Sequence, residues 1–334
     1  MRATDTGSAA TRHNGEVIPF RKVLVTGASG FLGRHLMPIL QERYGKDRVV
    51  GVHRSDFDLM DINQAHAMFD QIRPDAVVHL AAYSGGIGAN RKYPADFYFI
   101  NTILTANVFE VAAHQNVKKL VYPMGGCSYP STSTSPIGED QMWQGFPQYE
   151  SMGYSAAKKM GIVASLAYRD QYGLNSTVII PGNMYGEYDN FRKEESHVVP
   201  AMIRRYFEAQ LDGVDEVVMW GTGAPKRDFV YAHDVAAVIP WFLEQYDESG
   251  PVNISSGTTT TIKELAETIR RLVGYEGRIT WDRSKPDGQM VKIFDVAKLN
   301  ELGLSASSPL EQGLGRTIAW FREHYHSQSD GIRL

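Results

Sequence analysis

Lys22-Val23-Leu24-Val25-Thr26-Gly27-Ala28-Ser29-Gly30-Phe31-Leu32-Gly33 is an apolar run that breaks into three glycines spaced three apart. The run is of the kind that forms a strand buried on both faces. The glycines let the chain turn tightly, and from Phe31 to about Tyr44 the pattern is helical. A strand that passes through such a turn into a helix leaves unpaired amide N–H groups at the helix start, where a pyrophosphate can sit. The spacing is Gly-x-x-Gly-x-x-Gly, not Gly-x-Gly-x-x-Gly, and as a bare pattern it is weak. Its place between a first strand and a helix gives it weight. Gly27, Ser29, Gly30, Phe31, Leu32 and Gly33 are therefore candidate dinucleotide contacts, with a ligand-free glycine-rich connector as the alternative.

The same kind of apolar run recurs. Val49-Val50-Gly51-Val52, Ala76-Val77-Val78-His79-Leu80, residues 119–122 and residues 176–181 read as strands. Helical stretches stand between them, one beginning at 58–61, one over 94–115 and one over 154–172. Strands alternating with helices predict an α/β fold, a doubly wound parallel sheet. In such sheets ligands bind at the carboxyl ends of the strands. Leu80, Ala81 and Ala82 lie at one such end and lead into a glycine-rich stretch, 83–90, expected to be a flexible loop. At the end of the second strand a fold selecting NAD places an acid for the ribose 2′-hydroxyl. This chain has His53-Arg54-Ser55 there, and a cation with a hydroxyl suits a 2′-phosphate, so NADP(H) is expected, with Arg54 as its contact. Asp56 and Asp58 follow closely. Asp61 either caps the next helix or accepts from the adenine amine.

Tyr154 and Lys158 stand four apart in Gly153-Tyr154-Ser155-Ala156-Ala157-Lys158. On a helix they share a face. A cation beside a phenol favours phenolate and lowers its pKa, which would make Tyr154 a proton donor to a carbonyl oxygen receiving a hydride. The chain has 17 tyrosines, so a chance Tyr-x-x-x-Lys pair is expected and the pair alone decides nothing.

Beyond Gly186 the pattern loosens. Residues 190–195 read as a polar loop, 197–210 as a helix carrying Arg204 and Arg205, and 227–230 as a short strand. Further helices are expected at about 234–245, 262–272 and 309–324. The expected organisation is a disordered tail over 1–19, a cofactor domain over 20–183 with later returns at about 229–256, and a smaller substrate-binding lobe over 184–228 and 257–325.

Composition narrows the function. The 334 residues are 43% apolar, enough for one large α/β domain and a smaller one. A net charge of −4 gives no reason to invoke nucleic acid or an anionic membrane. No apolar run approaches the ~18 residues of a membrane span, and the polar first residues are not a secretory signal. The single cysteine excludes an internal disulfide and fits a reducing, cytoplasmic compartment. With no Cys-x-x-Cys and no His-Glu-x-x-His, no metal is expected.

The glycine loop, His79-Leu80-Ala81-Ala82 and the Tyr154/Lys158 pair together resemble the extended short-chain dehydrogenase/reductase superfamily, which implies a Rossmann-like sheet. Within it the chain is similar to the GDP-L-fucose synthase family, the GDP-4-keto-6-deoxymannose 3,5-epimerase/4-reductases. The matching segments include Gly85-Gly86-Ile87-Gly88-Ala89-Asn90, Tyr93-Pro94-Ala95-Asp96-Phe97, Cys127-Ser128-Tyr129-Pro130, Asn183-Met184-Tyr185-Gly186, Ser196-His197-Val198-Val199-Pro200, Trp220-Gly221-Thr222-Gly223 and Lys285-Pro286-Asp287-Gly288. They run through nearly the whole chain after the tail.

The resemblance implies that Tyr154 and Lys158 serve reduction, and that Cys127 and His197 are the acid/base pair of epimerisation. Ile62, Asn101, Pro181 and Asn183 join the cofactor contacts, as does Lys158, which has donors left for a ribose. Gly125, Gly126, Asn183, Arg205, Trp220, Arg227 and Lys292 are expected around a nucleotide-diphosphate sugar, GDP-linked. A homodimer through 94–115 and 154–172 is also implied. One position departs from the superfamily. Its third catalytic residue, a serine or threonine, corresponds here to Gly125, followed by Gly126. If 125–127 is extended, Ser128 faces away and cannot replace that hydroxyl. Three readings follow: the bifunctional epimerase/reductase; an enzyme performing one half-reaction on a related keto-sugar; or a cofactor-binding protein without turnover.

Overall fold

A computed structural model describes residues 11–13, 16–193 and 195–326. Of the expected tail, residues 1–10, 14 and 15 lie outside the described residues, while Thr11–His13 and Glu16–Ile18 pair as antiparallel strands.

The centre is a six-stranded sheet, parallel throughout. Its strands are β1 (Val23–Thr26), β2 (Val49–Val52), β3 (Ala76–His79), β4 (Lys119–Pro123), β5 (Ser176–Pro181) and, after an excursion, β10 (Val252–Ile254), in the order β10-β5-β4-β3-β1-β2. β1, β3 and β5 are buried along their whole length, as runs covered on both faces must be. Between the strands run α1 (Phe31–Tyr44), α2 (Ile62–Ile72), the short α3 (Ile87–Lys92), α4 (Pro94–His114) and α5 (Met152–Tyr172). The glycine-rich stretch expected to be loop thus contains α3. The helix expected to begin at 58–61 begins at Ile62, because the Asp61 carboxylate accepts from the Asn63 amide and caps it (2.9 Å). α5 stops at Gly173, which takes the left-handed conformation that glycine adopts most easily.

Two apolar layers sandwich the sheet. α1 and α7 (Ala232–Gln245) cover one face around Leu36, Leu40, Ile239 and Phe242; α2, α4 and α5 cover the other around Phe69, Phe109 and Ile162. A third core, centred on Phe191, Tyr206, Ile269 and Phe321, joins α6 (Val198–Leu211), α8 (Ile262–Val273) and α10 (Leu310–His324). α8 is framed by a reciprocal Thr261/Glu264 cap and by Gly274.

The later chain is built from small sheets. β6 (Asn183–Tyr185) pairs in parallel with β9 (Phe229–Tyr231). β8 (Lys226–Arg227) lies between β11 (Thr260–Thr261) and β13 (Val291–Lys292). The single strand expected over 227–230 is therefore two strands in two sheets, divided at the buried Asp228. β7 (Glu216–Trp220) and β12 (Arg278–Asp282) form a further parallel pair, and α9 (Ala297–Glu301) lies against β10. Among the described residues no helix is long and apolar enough to cross a membrane.

Candidate active site

At the carboxyl ends of β1, β3, β4 and β5 lies a cleft of about 830 Å³, large for a single small-molecule pocket. Its first wall is the β1–α1 turn. Gly27 has φ +71°, and a Cβ there would stand 2.7 Å from the Ala81 backbone nitrogen, so no larger residue lets the turn pass beneath β3. Gly30 precedes α1 with no side-chain cap, which leaves the first amides of the helix open to an anion. Gly27, Ser29, Gly30, Phe31, Leu32, Gly33, Leu80, Ala81, Ala82 and Pro181 line this part, and His53 and Arg54 stand exposed at its rim. An open helix start with a cation beside it fits a phosphorylated dinucleotide.

Three expected cofactor contacts lie outside the lining. Asp61 is spent on its cap, and Ile62 follows it. Asn101 is buried. Its amide donates to the carbonyls of Tyr83 and Phe97 and its oxygen accepts from the Tyr83 amide, so it shapes the rim.

The second wall carries Tyr154 and Lys158 on the first turns of α5. Both line the cleft, as their spacing predicts. Their electrostatics differ from expectation. The Lys158 ammonium lies 3.9 Å from the centroid of the Tyr122 ring, and burial pulls its pKa down to about 7. Burial, helped by nearby Cys127, pushes the Tyr154 phenol up. The expected lowering of the tyrosine by its lysine is not what this cleft produces, because burial raises the phenol and the lysine is itself buried over Tyr122.

Cys127 enters from the β4–α5 connection. The expectation that 125–127 is extended is corrected: Gly126–Ser128 form a 3₁₀ turn. Ser155 Oγ donates to the Cys127 carbonyl (3.1 Å) and ties this turn to α5. A Cβ at Gly126 would stand 2.4 Å from the Phe294 ring, so this glycine serves packing. Ser128 is fully buried and outside the lining, so it does not face the cleft, though the turn rather than strand alternation is the reason.

His197 also lines the cleft, exposed, just before α6. Its approach is fixed by a backbone latch: the Gly86 amide donates to the Glu195 carbonyl (2.8 Å). Asn90 holds the other side of that latch by donating to the carbonyls of Gly85 and Gly86. Asn90 also lines the cleft, with a buried Oδ1 that has no partner. Sequence reasoning passed it over as a functional residue, although it closes the quoted glycine stretch.

Arg227 and Lys292 are paired residues on β8 and β13, and both line the cleft. Burial lowers the pKa of each, and Cys127 partly offsets this for Lys292. Asn183 lines the cleft too, and its amide donates to the Asp228 carbonyl (2.8 Å). Arg205 and Trp220 lie outside the lining. Arg205 donates to the Val218 carbonyl (3.1 Å), and Trp220 is 67% exposed under Lys285. Thr222, close to Trp220, is tied to Asp287, which does reach the cleft. Among the described residues no group of three or more His, Cys, Asp or Glu could hold a metal ion.

Residues 23–255 match the NAD dependent epimerase/dehydratase family. The chain is 39% identical over 300 residues to GDP-L-fucose synthase 1 of Arabidopsis thaliana, covering 90% of this chain and 93% of that one. It is 37% identical over 314 residues to GDP-L-fucose synthase of Escherichia coli (strain K12), covering 91% and 97%. The structure of a GDP-L-fucose synthetase from Naegleria fowleri bound to NADP superposes with a TM-score of 0.84 at 28% identity, covering 93% of this chain and 96% of that one.

Proposed function

Since the chain belongs to the NAD dependent epimerase/dehydratase family, we propose that it is an NADPH-dependent 3,5-epimerase/4-reductase acting on a GDP-4-keto-6-deoxyhexose. The observation that carries this reading is one cleft lined by the open α1 start, Tyr154 with Lys158, Cys127, His197, Arg227 and Lys292.

The open amides after Gly30, with Arg54 at the rim, would hold NADPH, which would supply the hydride for C4 of the sugar. Arg227 and Lys292 are the donors for the diphosphate, with the arginine's planar fork suited to two oxygens at once. The C4 ketone acidifies the protons on C3 and C5. Cys127 and His197 reach the cleft from separate segments, and in this reading one removes a proton from one face of the ring while the other returns one to the opposite face. Thiol and imidazole have ordinary pKa values close enough to neutrality for both tasks. Tyr154 gives its proton to O4. Its raised pKa keeps the phenol protonated until charge develops on that oxygen. Lys158, buried on the same helix, is the group that returns the proton in this reading.

The division into a cofactor domain, 20–183 with 229–256, and a lobe, 184–228 and 257–325, belongs to this reading and is supported by the separate third core. So does a homodimer. Tyr98 and Phe99 of α4 and Met160, Val163 and Leu166 of α5 are exposed, and a second copy would cover them. A cytoplasmic location completes the reading. The test is incubation with GDP-4-keto-6-deoxymannose and NADPH. NADPH is consumed and NMR shows a product inverted at C3 and C5; unconsumed NADPH would overturn the assignment.

A further inference from the structure

One part of the reaction has no side chain assigned to it. As a hydride reaches C4, negative charge builds on O4, and a fixed second donor beside Tyr154 would stabilise it. Gly125 offers no side chain, and Ser128 Oγ is buried outside the cleft without a hydrogen-bond partner. The space beside Gly125 is not empty, however. A Cβ built there lies 3.1 Å from Cys127 Sγ, 3.2 Å from Tyr154 Cε1 and 3.7 Å from the Tyr154 hydroxyl. The thiol and the phenol therefore converge on one point. Cys127 is also the foremost electrostatic neighbour of Tyr154, Lys158 and Lys292, which places the thiol among the polar groups of the cleft.

We infer that the Cys127 thiol is the second hydrogen-bond donor to the sugar's C4 oxygen during reduction, so that one residue serves both half-reactions. The inference rests on the epimerase/reductase reading above. In this step C4 gains the hydride that NADPH gives up in becoming NADP⁺, the C4=O π bond opens, the Tyr154 O–H bond breaks as its proton passes to O4 and leaves a phenolate, and the Cys127 S–H bond stays intact. Gly125 belongs to the same device. A side chain at 125 would press on the thiol and on the Tyr154 ring.

The test uses the reverse reaction, oxidation of GDP-L-fucose by NADP⁺, whose first hydride transfer requires no epimerisation. Single-turnover nicotinamide absorbance is compared for wild type, Cys127→Ala, Cys127→Ser, Gly125→Ser and Gly125→Ser/Cys127→Ala. Cys127→Ala should slow hydride transfer about ten- to a hundredfold, the range for losing one hydrogen bond to a charged group. Cys127→Ser should retain most of the rate, yet lose solvent deuterium exchange at C3 and C5 of GDP-4-keto-6-deoxymannose, read by NMR. Gly125→Ser alone should not accelerate the step, whereas in the Cys127→Ala background it should restore the rate. NADPH affinity by fluorescence checks that each variant is folded. Equal rates for wild type and Cys127→Ala overturn the inference and leave the function standing. A wild type inert towards GDP-L-fucose overturns the function, and the inference with it.

Discussion

Tyr154 and Lys158 show what a motif states and what it leaves out. The spacing puts both on one helical face, but neither charge state follows from it. Burial holds the phenol protonated and pulls the ammonium down to about 7. Tyr154→Phe should lower single-turnover NADPH oxidation by about 10² to 10⁴-fold, the usual contribution of a general acid, with NADPH affinity unchanged by fluorescence titration. Lys158 carries a second expectation. If it donates to the bound cofactor, binding raises its pKa from about 7 and draws in a proton. NADPH affinity should then fall as pH rises above about 7, by up to roughly tenfold per unit. Calorimetry in buffers of different ionisation enthalpy reads that proton directly, and equal heats across buffers would count against it.

At the scale of elements, the site depends on how closely α5 lies on the sheet. A Cβ at Gly161 would stand 2.1 Å from the Tyr122 ring, the ring over which Lys158 sits. Gly161→Ala must therefore lift α5 or turn Tyr122. It should destabilise the fold by about 1 to 3 kcal/mol in urea unfolding, and slow reduction more than epimerisation, because Lys158 moves with the helix. The outer face of α5 can be tested separately. Val163 is exposed and lies between Met160 and Leu166 on the helix. Val163→Glu should turn a dimer into a monomer in sedimentation, while thermal unfolding of the monomer stays cooperative. A wild type that sediments as a monomer would remove the premise.

Across the whole molecule, buried lysines set how stability responds to pH, with the pKa values of Lys159 and Lys292 lowered in the same direction as those of the two described next. Lys119, at the start of β4, donates to Asn175, Thr177 and the Tyr246 carbonyl, and burial brings its pKa to about 8. Lys158 lies near 7. Both are lowered from 10.5, so between about pH 7 and 10 the unfolded chain holds protons that the folded chain has released, and stability rises with pH. Above about 10 the sign reverses, since Tyr122 and Tyr154 are held protonated by burial while unfolded tyrosines ionise. Urea unfolding at several pH values should show this rise and fall. Lys119→Met should be less stable throughout, with a shallower rise.

The strands and helices of the central sheet were readable because each is a local pattern. A continuous apolar run such as 23–26 has one stable use, a strand covered on both faces, and Gly27 admits a turn that a side chain would block. The spacing of Tyr154 and Lys158, the cation at Arg54 and the departure at Gly125 were equally visible in the chain. What lay beyond sequence was set by groups far apart along it. Asp228 divides one expected strand between two sheets because its carboxylate answers Ser256 and its carbonyl answers Asn183. His197 reaches the cleft through the latch between Gly86 and Glu195. The charge states of Lys158 and Tyr154, and the meeting of Cys127 with Tyr154 beside Gly125, depend on burial and close approach. Those are properties of the packed chain, which no spacing along the sequence encodes.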